Sequence, residues 1–368
     1  MMEHPRIKLK PKTKAIMLEW LIIIISVDIL MYGYYFLTWW GLKSYLRTGI
    51  FSSYIDTGYI HLGINVQGFL FGLMFGLINY LADNTNLRRK SFGYIIIIKS
   101  ILYTLAMFLS QVTVFAIYHV FSLVPVEMIF NLKDEVSASL LISVGVYFIF
   151  VILLINFILQ INRKFGYGVL FSMITGKYHK PREERRIFMF LDMKDSTGNA
   201  GRLGHYDYSR LIQSCILDLT DLIIRYKAQV YQYVGDEVVL TWPTNKGVQD
   251  FNCINLYYAF EQRLSDRRDY YEDEYNIVPK FKAGLDEGTI TVTEVGDIKR
   301  EIAYHGEVLH TAARLEKMCN NLEKNVLVTQ NLISSLPAEN GFEKELMGEF
   351  RLRGKKQKEK VFGINRIA

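Results

Sequence analysis

Two aspartates stand where apolar strands run out. Arg186 to Met193 reads as a strand, and in FMFLDMKDST its apolar run ends at Asp192, just before a polar turn. VYQYVGDEVVLTW, Val230 to Trp242, reads as a β-hairpin whose Gly235-Asp236 turn puts two adjacent carboxylates, Asp236 and Glu237, at its tip. Turn preference for Gly and Asp accounts for such a tip without any chemistry. With the first strand beside the hairpin, however, Asp192 and Asp236 converge, and two buried acids are costly unless a cation or a proton relieves them. Carboxylate and backbone carbonyl oxygens are hard ligands that suit Mg²⁺ or Mn²⁺, ions usually shared with substrate phosphates. The turn Met193 to Thr197 offers successive backbone N–H groups able to hold a polyphosphate, with Asp195 as an opposing charge. The candidate chemistry is that of a metal and polyphosphate site.

These residues need a sheet to hold them. After the first strand, Leu203 to Tyr226 carries Leu211, Ile212, Cys215, Ile216, Leu219, Leu222 and Ile223 on one stripe at helical spacing. The hairpin follows, then a helix from Phe251 to about Tyr275, a second strand pair over Phe281 to Val295 around Glu287-Gly288, a helix from Gly306 to Asn320, and short terminal strands. This βαββαβ order suits an α+β sandwich, ferredoxin-like with extra C-terminal strands, with helices on one face of an antiparallel sheet.

The first 161 residues are different in kind. The chain has 368 residues, 50% of them hydrophobic, and the apolar ones are concentrated before the linker. Four runs, about 16–40, 58–82, 94–120 and 138–161, are long enough to cross a hydrocarbon core and predict a four-helix transmembrane bundle in contact with a lipid bilayer. Arg6 to Lys14, the Arg88-Arg89-Lys90 connection and Arg163-Lys164 carry the basic residues, so both termini are expected in the cytoplasm, with the bundle in the cell (inner) membrane. A cleavable signal peptide is not expected. Trp39 and Trp40 are expected at the outer interface and Trp20 at the inner one. Asp28 is expected near mid-bilayer and facing the bundle, as part of a signal-sensing core; Lys99 is placed to snorkel to the cytoplasmic side, a direct pair between the two being the alternative. Residues 162–185 form a linker, ending in the charged KPREERR stretch from Lys180, and serve either as mechanical coupling or as a plain tether. Residues 186–368 form the second domain. Cys215, Cys253 and Cys319 are too few and too scattered for a disulfide framework or a zinc pattern. The net charge of +6 sits largely beside the apolar runs, which orients a membrane protein and argues against a nucleic-acid partner.

FMFLDMKDST, YQYVGDEVVLTW, FKAGL and AYHGEVLHTAARLEK occur in an order and spacing that together resemble the catalytic domain of class III nucleotide cyclases, the adenylate and guanylate cyclase homology domain. The resemblance covers about half the chain. It implies a head-to-tail homodimer with active sites at the subunit interface and two Mg²⁺ or Mn²⁺ ions per site, held by Asp192, Asp236 and the backbone carbonyl of Met193. One ion would activate the ribose 3′-hydroxyl of ATP or GTP for attack on the α-phosphorus and the other clamp the phosphates, with pyrophosphate leaving. It places His310, where the family has asparagine, and Arg314 one turn apart on a helix reaching the partner's site, and Lys355 in RLRGKKQ on phosphate. The adenine-reading lysine of the family falls on Gln232, and its Asp or Thr partner on Ala303. A glutamine amide can read either purine and alanine reads neither. Thr197 remains in the phosphate turn. The resemblance thus implies a membrane-bound adenylate cyclase, with a guanylate cyclase or a silent cyclase-like receptor or scaffold as alternatives. DMKDST and TAARLEK do not fit a diguanylate cyclase, which also uses a Gly-Asp-Glu hairpin.

Overall fold

The computed structural model describes residues 11–36, 59–85, 90–121, 138–165, 172–173, 175–337, 341–351 and 358–367. The chain divides into two compact units, Met1–Lys164 and Phe165–Ala368.

The first unit is helical: α1 (Pro11–Tyr35), α2 (Tyr59–Asn84), α3 (Phe92–Val120) and α4 (Ala138–Phe165). Over His61–Ala82 and Gly93–Val114 the described helices are long and apolar enough to cross a membrane, whereas Ile23–Tyr35 and Gly145–Ile158 are shorter apolar stretches. Ile23, Val27, Phe71, Phe75, Tyr103 and Ile152 form the unit's core. Close packing of α1 on α2 depends on three glycines one turn apart. A Cβ on Gly68 would lie 1.6 Å from Asp28 Oδ1, on Gly72 2.6 Å from Ile24 Cγ1, and on Gly76 2.8 Å from the Trp20 ring. Such small-residue ridges let two helix backbones approach closely. Lys99 does not snorkel: it is 2% exposed, and its ammonium donates to Asn79 Oδ1 at 2.8 Å, as does the Tyr103 hydroxyl. Burial with a hydrogen-bond partner replaces the expected escape to the interface. Trp39 and Trp40, together with Arg6, Lys8, Lys10, Arg88 and Arg89, lie outside the described residues.

The second unit is built on one eight-stranded sheet, in the order β2-β3-β1-β4-β6-β8-β7 with β5 paired to β4. Its strands are β1 (Arg182–Met193), β2 (Gln229–Val234), β3 (Glu237–Pro243), β4 (Phe281–Val295), β5 (Glu301–His305), β6 (Val326–Thr329), β7 (Phe342–Phe350) and β8 (Glu359–Arg366). Pairing is antiparallel except between β4 and β6. Helices α5 (Ser196–Arg225), α6 (Asn252–Asp266), α7 (Arg268–Tyr275), α8 (Glu307–Met318) and α9 (Gln330–Ser335) accompany it, with a short helical turn at Thr244–Val248 after β3.

Alternation along β1 sorts the core. Ile187, Met189, Leu191 and Met193 join Leu211, Cys215, Leu219, Tyr257 and Phe260 of α5 and α6 on one face. Phe188 faces the other way, into a cluster with Val239, Ile290, Val292, Val308 and Ala312, so α8 covers the opposite face. The expected one-faced sandwich is therefore corrected to a sheet with helices on both sides. The approach of α8 is permitted by β4: a Cβ on Gly284 would meet Ala312 O and Glu316 N at 2.2 Å, and one on Gly288 would meet Val308 at 2.9 Å.

Three boundaries also differ from expectation. Phe281–Val295 is one continuous strand and not a strand pair; its hairpin partner is β5, reached through Gly296 at φ 89°. The first long helix begins at Ser196, kinked at Gly204 (φ 73°, ψ 167°), where glycine tolerates a conformation other residues avoid. The helix expected over 251–275 is two, meeting at Arg267.

Candidate active site

Asp192 is at the end of β1, opposite Lys282 of β4. The β1–β3 register pairs Leu191 with Val238, so the next position along places Glu237 across from Asp192 on the same face. Lys282 Nζ lies 3.4 Å from Asp192 Oδ2 and 2.7 Å from Glu316 Oε1 of α8. Lys282 and Glu316 are both buried. Burial, then Glu316 and Asp236, push the Asp192 carboxyl up to about 6 against the opposing pull of Lys282. Burial and Asp192 raise Glu237 as well, with Lys317 opposing.

Asp236 completes the cluster from the hairpin tip. Its Oδ2 is buried and has no hydrogen-bond partner among the described residues. It lies in a small cavity with Met193, Ile212, Val238 and Phe281. Burial and then Asp236 push the Tyr208 hydroxyl of α5 up to about 12, which keeps that hydroxyl a hydrogen-bond donor at neutral pH. Gly235 holds φ 62° in the turn.

The donor set fits a divalent cation. Asp192, Asp236, Glu237 and Glu316 are four carboxylates against the two ammonium groups of Lys282 and Lys317, leaving two formal negative charges. An orphaned buried carboxylate oxygen and a lifted neighbouring carboxyl are features that a bound cation would relieve. Among the described residues no group of three or more His, Cys, Asp or Glu side chains is arranged to hold a metal ion by itself. A cation here would take further oxygens from the Met193 carbonyl, substrate or water, as Mg²⁺ commonly does.

The remaining sequence candidates are placed unequally. Thr197 is exposed in the first turn of α5. The Lys194 N–H is already given to Lys280 O at 2.8 Å. The anion-holding stretch therefore shrinks to the free N–H groups of that first turn. Asp195, the opposing charge, is turned toward Arg202 at 3.4 Å. His310 is exposed and Arg314 half-buried on α8, whose buried side carries Val308, Ala312, Leu315 and Glu316. Within one chain neither is among the groups acting most strongly on Asp192 or Glu237. Gln232 is exposed opposite Val239. Ala303 is not brought to it: Ile302 and Tyr304 pack into the α8-side cluster, and alternation turns Ala303 to the other face. Tyr304 is the β5 residue that reaches β2, meeting the Tyr231 ring edge-on at 4.9 Å. Lys355 lies outside the described residues.

Sequence reasoning passed over Lys282, Glu316 and Tyr208, and left Glu237 unassigned. A lysine between Phe281 and Ala283 in a strand of buried residues was a usable signal, since a charge there demands a partner.

Comparison with known proteins agrees with this geometry. The profile described as the adenylate and guanylate cyclase catalytic domain matches residues 179–366. "Adenylate cyclase 2" of Rhizobium meliloti (strain 1021) is 32% identical over 210 residues, which are 57% of this chain and 58% of that protein. The chain thus spans less than two thirds of that curated relative. Among solved structures, a bacterial light-regulated adenylyl cyclase aligns with a TM-score of 0.51 at 18% identity, over 63% of this chain and 67% of that one. A second structure so described aligns at 0.50 and 18%, over 58% and 64%. At such identities the likeness is one of fold, and the family rests on the profile match, which spans half of the chain. With carboxylates gathered at the joined ends of β1 and the β2–β3 hairpin, inside the matched residues, the chain belongs to the adenylate and guanylate cyclase catalytic domain family.

Proposed function

We propose that this chain is a membrane-bound adenylate cyclase that converts ATP to 3′,5′-cyclic AMP and pyrophosphate at a homodimer interface, under control of its helical unit. The observation that carries the reading is the convergence of Asp192 and the orphaned Asp236 oxygen, with net negative charge left for a cation. Asp192, Asp236 and the Met193 carbonyl would hold two Mg²⁺ or Mn²⁺ ions, which when bound supply charge neutralisation of the phosphates and acidification of the 3′-hydroxyl. Lys282 and Glu316 fix the Asp192 carboxylate in place, and Tyr208 donates toward Asp236. The first turn of α5, with Thr197, receives phosphate oxygens.

Arg314 and the exposed His310 lie one turn apart on α8 and are not among the groups acting most strongly on Asp192, which suits delivery to the site of a second copy, where Arg314 would stabilise the transferring phosphoryl charge. Lys355 adds a phosphate contact. Gln232 faces the base, and its amide accepts either purine, so GTP is the alternative substrate. The four helices span the cell membrane, with both termini and the catalytic unit in the cytoplasm. Support comes from the basic flanks of the apolar runs and from two stretches of spanning length.

The test uses membranes containing the full chain, ATP or GTP, and Mn²⁺, with products resolved chromatographically beside Asp192→Ala and Asp236→Ala. Cyclic nucleotide formed by wild type and lost in both variants supports the enzyme. No product from either nucleotide favours a silent scaffold. Mixing Asp192→Ala with Arg314→Ala chains should restore part of the activity, and failure to do so counts against shared sites.

A further inference from the structure

The segment that leads into β1 is fastened to the strands around the base-facing end of the site by one buried guanidinium. Tyr178 is buried, and its carbonyl accepts from Glu294 N of β4 at 2.8 Å. The Tyr178 hydroxyl and the Lys177 ammonium both donate to Glu184 Oε1, at 2.9 and 3.1 Å. Glu184 Oε2 accepts from Arg186 at 3.0 Å. Arg186 is 2% exposed. Its Nε donates to Thr241 of β3 at 3.1 Å, and its other terminal nitrogen donates to Gln229 of β2. Its guanidinium carbon lies 5.1 Å from the centre of the Tyr304 ring on β5. Tyr304 in turn meets Tyr231, the neighbour of Gln232, at 4.9 Å.

One side chain is therefore tied to the lead-in through Glu184, bonded to β2 and β3, and stacked on β5. A buried guanidinium whose partners move must follow them, because leaving a charge-assisted bond unmade in a dry site is costly. Burial alone would raise the Glu184 carboxyl, but the bonds from Tyr178, Arg186 and Lys177 hold it below the usual carboxylate value, so the link stays ionised at neutral pH. We propose that Arg186 is a positioning residue that relays displacement of Lys177–Tyr178 to β2 and β5, moving Tyr304 and, through Tyr231, the base-facing Gln232. Its catalytic consequence rests on the cyclase reading above; the relay itself does not.

Hydrogen exchange of the full chain in lipid nanodiscs tests the relay, with Tyr178→Phe, Glu184→Gln and Arg186→Lys. Amides of β2 and β5 should exchange about tenfold faster in Glu184→Gln and Arg186→Lys, the scale of one charge-assisted bond, while α6 is unchanged. Tyr178→Phe should give the same pattern more weakly, and its effect should shrink when added to Arg186→Lys. Faster exchange confined to residues 175–184, equal loosening of α6, or strictly additive effects would overturn the relay. In kinetics, Glu184→Gln should raise the nucleotide KM about tenfold with a smaller change in kcat. A wild type that turns over neither ATP nor GTP removes the cyclase reading, and the exchange pattern still decides the relay.

Discussion

Asp236→Asn is expected to stabilise the metal-free catalytic unit while removing its chemistry. Burial, Glu316 and Asp236, in that order, lift the Asp192 carboxyl from 3.8 to about 6. A lift of about two units corresponds to ~3 kcal/mol. The Asp192 side chain keeps 22% exposure, and solvent screening trims that figure to ~2 kcal/mol. Burial and Glu316 outweigh Asp236 among the causes, so the Asp236 share is a fraction of that figure, on the order of 1 kcal/mol. The folded value lies above the unfolded one, so the folded chain holds an extra proton between roughly pH 4 and pH 6, and stability falls as pH rises through that window. At pH 8 the repulsion is fully present, and at pH 4 it is gone. Calorimetry of the solubilised chain in chelator should therefore show the catalytic unit of Asp236→Asn melting higher at pH 8 by about 2–4 °C or less, with little gain at pH 4. Mn²⁺ should stabilise wild type more than the variant. Cyclic nucleotide formation should fall more than ~100-fold, since even outer-shell changes at metal sites cost up to that much. A variant destabilised at pH 8, or stabilised equally at both pH values, refutes the repulsion between Asp192 and Asp236.

Gly284→Ala drives a Cβ to 2.2 Å from Ala312 O and Glu316 N. It should cost ~1–3 kcal/mol in thermal unfolding and depress activity by displacing α8. Gly235→Ala meets nothing within 4 Å but must hold φ 62°; it should cost ~1 kcal/mol, with Gly235→Asn nearer wild type. An activity loss far beyond that stability loss would mark close approach of the nucleotide at this turn. Gly72→Leu, whose Cβ would lie 2.6 Å from Ile24 Cγ1, should separate α1 from α2 and lower the melting temperature of the helical unit in detergent, leaving the catalytic unit's transition in place.

How much of this was legible depended on whether a residue's neighbours lie near it in sequence. Asp192 and the hairpin tip were readable because strand ends and tight turns announce themselves locally. Gly288 was misread for the same reason. In FKAGLDEGTITV a glycine after two acids looks like a turn, yet its missing Cβ makes room for Val308 of α8, a contact only the fold supplies. The apolar stripe of α8 was visible, but a stripe says that a helix packs, not on which face of a sheet. Lys282 and Glu316 stood inside quoted motifs without being singled out, because their pairing joins β4 to a helix more than thirty residues on. The break at Arg267 carries no Gly or Pro to announce it.

Adjacent carboxylates at the hairpin tip are not redundant, because one residue of β progression separates their surroundings. Glu237 starts β3 and shares the face of Asp192, where burial, Asp192 and Asp236 raise its carboxyl and Lys317 and Lys282 oppose them. Asp236, still in the turn, lies with Met193 and Ile212 toward α5, beside Tyr208. The cluster thus straddles the end of the sheet, with α8 supplying a carboxylate from one side and α5 a hydroxyl from the other. Lys282 binds Glu316 more closely than Asp192, at 2.7 against 3.4 Å. The ammonium is thereby drawn toward α8, and the Asp192 carboxylate is only partly neutralised by it. A lysine that paired fully with Asp192 would stabilise the fold and close the site to cations. On the proposed cyclase reading Glu316 would serve the chemistry by occupying the lysine, and the place of α8 on the second face of the sheet, which Gly284 and Gly288 permit, brings it there.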